Sequence, residues 1–386
     1  MRIIHLIDYF QPKLGYQETY LALAHLRLGH HVTVITSDRH YPFSDYASAF
    51  QKILGERKKK PGKFKEYGLD TLRLAAIEMP FTPVIFLRNL KTALAHLNPD
   101  MVFCHGIFSV VSFQAALYKE QFSYKLFYDS HAADFNTDFE NSLLKKFYYL
   151  LYIKLMAPVI KKAADRLFAV GEAEKKFLLR FLKIPNYRVE ILRVGIDPVF
   201  LKAKKEKRME IRRKLGISPD EFAIIYTGKI APGKDLPVLL RAVKLLEGLP
   251  VKILIIGGGN VHYIEKLKKQ YPFREKVIWT GFITNKMLTK YYSAADTAIW
   301  PGNPSVAVLE AMAAGLPVII SRWFGTRYLN KNKTVLSFPR GNHIKLANLI
   351  KILSINSQFR QKLGIKAQLF IKNELSWDKI AKQAII

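Results

Sequence analysis

Residues 222–259 read FAIIYTGKIAPGKDLPVLLRAVKLLEGLPVKILIIGGG. Phe222–Thr227 is a run of apolar and β-branched residues that ends at a glycine-bearing turn, which predicts a buried strand. Leu236–Glu247 carries apolar residues at helical spacing. Val251–Ile256 (VKILII) predicts a second strand, closed by Gly257, Gly258 and Gly259. A strand, a helix and a strand in this compass form a βαβ unit, in which the two strands run parallel. Val277–Thr280, Thr297–Trp300 and Pro317–Ser321 continue the alternation as short strands with helices between them.

The same grammar runs through the first half. Arg2–Asp8 predicts a strand, Gly15–Leu28 a helix stopped by Gly29, and His31–Ser37 (HVTVITS) a strand. Met101–His105 and Lys125–Asp129 predict further strands with a helical segment between them. The expected fold class is therefore α/β, with two doubly wound, Rossmann-like domains in tandem. The junction falls at Gly195–Phe200 (GIDPVF), giving domains over residues 1–198 and 199–368. A ligand is expected in the cleft between them, outside the carboxyl ends of the strands.

Composition narrows the function classes. The chain has 386 residues, 49% of them hydrophobic and 24% charged, which excludes wholesale disorder. The single cysteine, Cys104, excludes an internal disulfide framework and a cysteine-rich zinc site. The net charge of +30 attracts polyanions: nucleic acid, an anionic membrane surface or phosphorylated substrates. The opening MRIIHLIDYF is read as a buried first strand rather than a secretory signal. Met101–Tyr118 lacks formal charge but contains His105, Gly106, Ser109, Ser112 and Gln114, so strand–turn–helix is expected rather than a membrane span. A cytoplasmic protein, soluble or peripheral on the membrane, is expected.

Two basic runs stand out. Lys52–Lys65 holds seven Lys or Arg against Glu56 and is read as a mobile surface loop, either solvated or contacting a membrane or acceptor. Lys202–Lys214 holds eight basic residues and two acids and is read as an exposed helix. Neither interleaves aromatics in a way that would stack bases, so no nucleic-acid partner is expected. Asn141–Asp165 mixes Phe147, Tyr148, Tyr149 and Tyr152 with lysines. It reads either as an interfacial membrane helix or as a core helix with snorkelling lysines.

The chemistry-bearing residues cluster at strand ends. Pro301–Ser305 is a Gly/Pro turn between a strand and the helical Val306–Gly315 (VAVLEAMAAG), an arrangement that presents backbone N–H groups to an anion. Glu310 reads either as a carboxylate for a ribose or as a solvent-facing helix residue. Thr227–Leu236 (TGKIAPGKDL) sets Lys229 and Lys234 beside Gly228 and Gly233, which suits a diphosphate, although the order is not that of a Walker A loop. Gln11–Glu18 is a Pro/Gly loop in which Gly15 permits either a ligand approach or a structural turn. His131 follows a predicted strand and either touches a substrate or caps a turn. Asp129, His131 and Asp134 lack convincing metal spacing, and no metal is expected. Neither an H-E-x-x-H motif nor a G-x-S-x-G elbow occurs.

Together these segments resemble the retaining glycosyltransferases of the GT4 type, which have the GT-B fold. QPKLGYQETYLALAHLRLGHHVTVITS resembles the family's opening loop, first helix and second strand, and RVGIDPVF its linker. YTGKIAPGKDLPVLLRAV, ILIIGGGN, VIWTGFI, YYSAADTAIWP and VAVLEAMAAGLPVIIS follow in the family's order. SWDKIAKQ resembles the terminal helix, so residues 369–386 are expected to return to the first domain. The resemblance implies that Lys229 and Lys234 hold the diphosphate of a nucleotide-sugar donor, a UDP- or GDP-sugar, and that Glu310 binds its ribose. It implies that Ser305 and Val306 present N–H groups to the phosphate and sugar, and that Gly281 and Phe282 lie beside the base. It implies that Gly15, Gly228 and Gly257 let backbone approach the donor, and that His131 contacts the donor sugar.

Gly302 stands where the family's first E-x7-E glutamate is expected, with Asn303 or Ser305 as substitute polar contacts. Val194 replaces the linker asparagine. The implied reaction is metal-independent, needs no cofactor, and delivers a sugar to a lipid-linked or glycan acceptor. The competing readings are a non-catalytic basic protein of the same fold that binds a membrane or polyanion, and a sugar-nucleotide epimerase.

Overall fold

The computed structural model of the chain describes residues 1–43, 45–80, 82–134, 136–137, 143–202, 208–246, 248–273, 275–303 and 305–386. The chain divides into two compact units. Unit 1 is Met1–Gly195 with Trp377–Ile386, and unit 2 is Ile196–Ser376.

Among its described residues unit 1 holds ten strands: β1 (Arg2–Leu6), β2 (His31–Ser37), β3 (Gly62–Glu66), β4 (Leu69–Leu74), β5 (Ala76–Glu78), β6 (Ile85–Leu87), β7 (Met101–His105), β8 (Lys125–Asp129), β9 (Arg166–Ala169) and β10 (Val189–Ile191). Eight form one sheet in the order β10-β9-β8-β7-β1-β2-β4-β3, while β5 and β6 pair separately. Every pairing in the large sheet is parallel except β3 with β4. All five residues of β7 are buried, as a central strand covered on both faces requires.

Unit 2 holds β11 (Phe222–Thr227), β12 (Val251–Ile256), β13 (Val277–Gly281), β14 (Thr297–Trp300), β15 (Val318–Ser321) and β16 (Leu336–Phe338). They form one parallel sheet in the order β13-β12-β11-β14-β15-β16. In both sheets the strand order reverses beside the first strand of the unit, at β1/β7 and at β11/β14. Crossover helices leave on opposite faces there, and a crevice opens at the carboxyl ends.

Four sequence readings change. The expected loop at Lys52–Lys65 contains the helix Gln51–Leu54 and the edge strand β3. Tyr67 and Gly68, with φ of 53° and 85°, supply the two left-handed residues of a tight hairpin from β3 to β4. The lysines of β3 keep an exposed sheet edge from pairing with other chains. Within Lys202–Lys214, residues 203–207 lie outside the described residues, and the helix Arg208–Lys214 is not wholly exposed. Its Arg212 is 1% exposed and donates to the carbonyls of Ala294, Ser218 and Glu221.

The helix Leu236–Glu247 ends at Lys244, and Glu247 lies outside the described residues. Finally, the units part at Gly195/Ile196, and the returning helix is Trp377–Ile385. Ile196 N–H donates to Leu375 O, which keeps that strip in unit 2, and Ser357–Glu374 is a separate helix of that unit. A Cβ on Gly195 would lie 2.5 Å from the Trp377 ring, so the chain needs glycine where it passes this helix.

Candidate functional site

In unit 2 three turns meet at the β11/β14 crevice. Gly228 follows β11 with φ of 139°, and Gly257 follows β12 with φ of 150°. A Cβ on Gly257 would lie 1.8 Å from Gly228 O, so only glycine lets these turns touch. Gly257 N–H donates to Gly281 O at 2.9 Å, and Gly281 is left-handed at φ 73°. Phe282, next in the chain, is 67% exposed. A Cβ on Gly228 would lie 3.6 Å from Ser305 Oγ, which brings the turn after β14 to the same place. Val306 caps the short helix Ala307–Ala313, where Val308 N–H donates to Ser305 O.

Lys229 is exposed, whereas Lys234 is half-buried and donates from Nζ to Asn303 O at 2.8 Å. Burial, and then the neighbouring Lys229 charge, lower the Lys234 pKa. Asn303 N–H donates back to Gly233 O at 3.0 Å. A Cβ on Gly302 would lie 2.5 Å from Gly233 O and from the Lys234 carbonyl carbon. Position 302 therefore backs onto the turn that carries Lys234, and a side chain there would meet its backbone.

Glu310 is 8% exposed, which removes the solvent-facing alternative. Its Oε2 accepts from Tyr292 Oη at 3.2 Å, and Tyr292 Oη lies 2.7 Å from Thr227 Oγ1. Burial pushes the Glu310 pKa up to about 7, Asp197 adds to the rise, and the Tyr292 hydrogen bond opposes it. Tyr292 carried no spacing signal in the sequence, since it stands on the helix Asn285–Ala294 before β14.

In unit 1 a cavity of about 870 Å³ opens at the β1/β7 crevice. Its polar lining includes Asp8, Glu18, His105, Ser130 and His131, beside side-chain amides and further hydroxyls, and its aromatic walls include Tyr9, Tyr16, Tyr41, Phe108, Tyr148 and Tyr149. Ser109 Oγ donates to Asp8 Oδ1. Burial raises the carboxyl groups of Asp8 and Glu18 to about 7 each. Of these polar residues the sequence had singled out only His131, which is solvent-exposed on the cavity wall. Gly15 ends the turn Pro12–Leu14 in the left-handed conformation, next to the wall residue Tyr16.

Asp129 accepts from His105 Nδ1 at 2.8 Å and from Gly106 N–H at 2.9 Å. Asp134 pairs with Arg180. Among the described residues no three His, Cys, Asp or Glu side chains are placed to hold a metal ion.

Behind the cavity runs a buried histidine chain. His105 Nε2 lies 2.9 Å from His5 Nδ1, His5 Nε2 lies 3.0 Å from His25 Nδ1, and His25 Nε2 lies 3.2 Å from Ala381 O on the returning helix. Both ends of this row, the Asp129 carboxylate and the Ala381 carbonyl, are acceptors. Filling all four contacts takes four ring protons, one more than three neutral imidazoles carry.

Two parallel α/β sheets, each with a site at its reversal point, are the class of architecture called GT-B. Superposition on solved structures agrees across the whole chain. The Anabaena protein HepE in complex with UDP has a TM-score of 0.73 at 14% identity, covering 99% of this chain and 98% of that one. A glycosyltransferase from Rickettsia africae has a TM-score of 0.74 at 16% identity, covering 99% and 96%.

Residues 17–195 match the glycosyl transferase 4-like domain and residues 207–370 the glycosyl transferases group 1 family. The chain belongs to this family of GT4-type glycosyltransferases. An uncharacterized glycosyltransferase of Methanocaldococcus jannaschii is 29% identical over 229 residues, 57% of this chain and 58% of that protein. The lipopolysaccharide 1,2-N-acetylglucosaminetransferase of Salmonella typhimurium is 26% identical over 201 residues, 47% and 51% respectively. The matched stretches thus span little more than half the length of these relatives.

Proposed function

We propose that the chain transfers a glycosyl group from a nucleoside diphosphate sugar to a hydroxyl of a lipid-linked or glycan acceptor, with retention of configuration and without a metal or cofactor. The observation that carries this reading is the convergence of Gly228, Gly257, Ser305 and Lys234 at one strand end, with the buried Glu310 beneath it.

A nucleotide's ribose hydroxyls would donate to Glu310, which has one protein donor, Tyr292, among its described hydrogen bonds. Lys229, Lys234 and the N–H groups of Ser305 and Val306 would face the diphosphate, and Gly281 and Phe282 would flank the base. Gly15 would approach the diphosphate and His131 the donor sugar. The bond from the anomeric carbon to the phosphate oxygen breaks as the acceptor oxygen bonds on the same face. The departing phosphate oxygen takes the acceptor proton. Catalysis then rests on stabilising the leaving diphosphate, the task for which fixed cations and backbone donors are suited. UDP in the HepE complex supports a UDP-sugar as donor. Among the described residues no helix is long and apolar enough to cross a membrane. We place the protein in the cytoplasm, on the membrane's inner face.

Thermal unfolding with UDP, GDP and ADP tests the reading. Ligand at about 100 times its dissociation constant adds roughly 2.7 kcal/mol, and Glu310→Ala is expected to abolish most of that gain. A second reading, a non-catalytic protein of the same fold, is favoured by Gly302 in place of a glutamate. It gains if no nucleotide stabilises the wild type.

A further inference from the structure

The unit 1 cavity has a charge pattern at odds with the rest of the molecule. The chain carries 61 Lys and Arg, yet no described residue lining this cavity is one of them. Arg39 and Arg57 each bind Glu78, at 2.8 Å and 2.9 Å, outside the cavity wall. What the lining offers instead is two carboxyl groups, two imidazoles, hydroxyls and tyrosine rings. Asp8 and Glu18 are held near neutrality, so each can donate as well as accept a hydrogen bond around pH 7. Such a lining is suited to neutral hydroxyls and sugar-ring faces. It offers a phosphate no arginine or lysine side chain among its described lining residues.

The mouth of the cavity is apolar and continues outside it. Phe147 and Leu151 line the cavity and are 60% and 37% exposed. They belong to the helix Leu143–Leu151, which runs into a wider turn at Tyr152–Met156. On its inner side Tyr148 and Tyr152 donate to the carbonyls of Phe108 and Ile107, which pins the helix to the unit. On its outer side Leu143, Phe147, Leu150 and Leu155 are each more than half exposed. Their spacing of four, three and five residues keeps one stripe, because the wider turn absorbs the extra residue. Lys146 and Lys154 are exposed on the same stretch, the pattern of a helix lying on an anionic bilayer.

Resting on the transferase reading above, we infer that this cavity binds the acceptor, and that the acceptor is a membrane lipid with a neutral, hydroxyl-bearing head. The head sits among Asp8, Glu18 and the tyrosines, and the hydrocarbon leaves over Phe147 and Leu151 onto the Leu143–Leu155 stripe. A free glycan does not use the apolar mouth, and a lipid whose phosphate must enter the cavity meets two carboxyl groups and, among the described lining residues, no lysine or arginine.

The test is binding of three probes to the full chain by isothermal titration, below their micellar concentrations: octyl β-glucoside, methyl β-glucoside and octyl phosphate. Octyl glucoside is expected to bind at least about tenfold more tightly than either of the others, the gain from burying as few as two methylenes. Phe147→Glu, at a mostly exposed position, is expected to remove that advantage. Its stabilisation by UDP should stay unchanged, which reports that the chain is folded and that the donor half is intact. Flotation with vesicles of 70% phosphatidylcholine and 30% phosphatidylglycerol is expected to fall at least about tenfold for Leu143→Glu with Leu155→Glu.

Equal binding of methyl and octyl glucoside would overturn the lipid assignment in favour of a glycan. Octyl phosphate binding as well as octyl glucoside would overturn the neutral head, and unchanged binding by Phe147→Glu would overturn the site. A wild type that binds octyl glucoside but not UDP would instead defeat the transferase reading and leave the cavity's chemistry standing.

Discussion

Replacing Glu310 with glutamine separates what this residue costs the empty protein from what it gives the loaded one. A glutamate in the unfolded chain titrates near 4.5, and in the folded protein Glu310 titrates at about 7. Between those values the folded state holds a proton that the unfolded state has released. Stability from this group is therefore present in full below about pH 4.5, and it is lost as pH rises through 7. Applied to that rise in pKa, linkage makes the loss on the order of 3 kcal/mol above pH 8, with roughly 1 kcal/mol already gone at pH 5.

Glutamine keeps the shape, carries no charge, and can still accept from Tyr292. Relative to wild type, Glu310→Gln should be more stable by about 1 kcal/mol at pH 5 and by about 3 kcal/mol above pH 8. Asp8 and Glu18 shift in the same direction in unit 1, but they are common to both proteins and cancel in the difference. Urea unfolding followed by tryptophan fluorescence reads the transition, since Trp279, Trp300 and Trp323 lie in unit 2 and only Trp377 in unit 1. A variant gap that does not grow between pH 5 and pH 8.5 would refute the reasoning, as would a variant less stable than wild type at the higher pH. The same variant should lose most of its stabilisation by a nucleoside diphosphate. Together the two results would show a carboxylate kept at the expense of stability for the sake of a ligand.

Other substitutions address other contacts. Gly302→Glu should not repair the site but destabilise unit 2 by about 2–4 kcal/mol in the same urea assay, because its Cβ meets the backbone of Gly233 and Lys234. Lys234→Met should weaken nucleoside diphosphate binding at least about tenfold by titration calorimetry, while costing the apo protein about 1 kcal/mol for the lost bond to Asn303. Arg212→Met should cost about 2–4 kcal/mol in the same urea assay, since it removes the guanidinium that donates to the carbonyls of Ala294 and Glu221, while Asp296 keeps Arg208 and the Ala223 N–H. In unit 1, burial holds His5 well below the usual histidine value and His25 at about 4, so their contribution is present above pH 6.5 and is lost as pH falls below it. Urea unfolding at pH 7.5 and at pH 5 should show that loss.

Much of the architecture was legible because a parallel sheet buried on both faces writes its strands as unbroken apolar runs. FAIIYT, VKILII and MVFCH are mostly apolar runs and HVTVITS is rich in β-branched residues, and all four are strands with the expected bounds. The edge strand Gly62–Glu66 was not legible, since its mostly exposed side chains left no apolar period to detect. Part of the candidate site was legible for a related reason. Glycines, lysines and one glutamate at strand ends are local features, fixed by the chain's immediate sequence.

What sequence could not decide was which of those features meet. Glu310 became a buried acceptor only when Asn285–Ala294 brought Tyr292 against it, and Gly302 became obligatory only when its turn closed on Gly233. The row from Asp129 through His105, His5 and His25 to Ala381 joins residues as far as 356 positions apart, and nothing in the local pattern of any one of them announces it. By itself the sequence determined the alternation of strands and helices, the glycines that free the strand ends, and an overall positive charge. The tertiary structure decided which polar groups are desolvated, and in a basic protein it placed a cavity with no lysine or arginine among its described lining residues. Desolvation and pairing depend on neighbours that the sheet order supplies from distant parts of the chain.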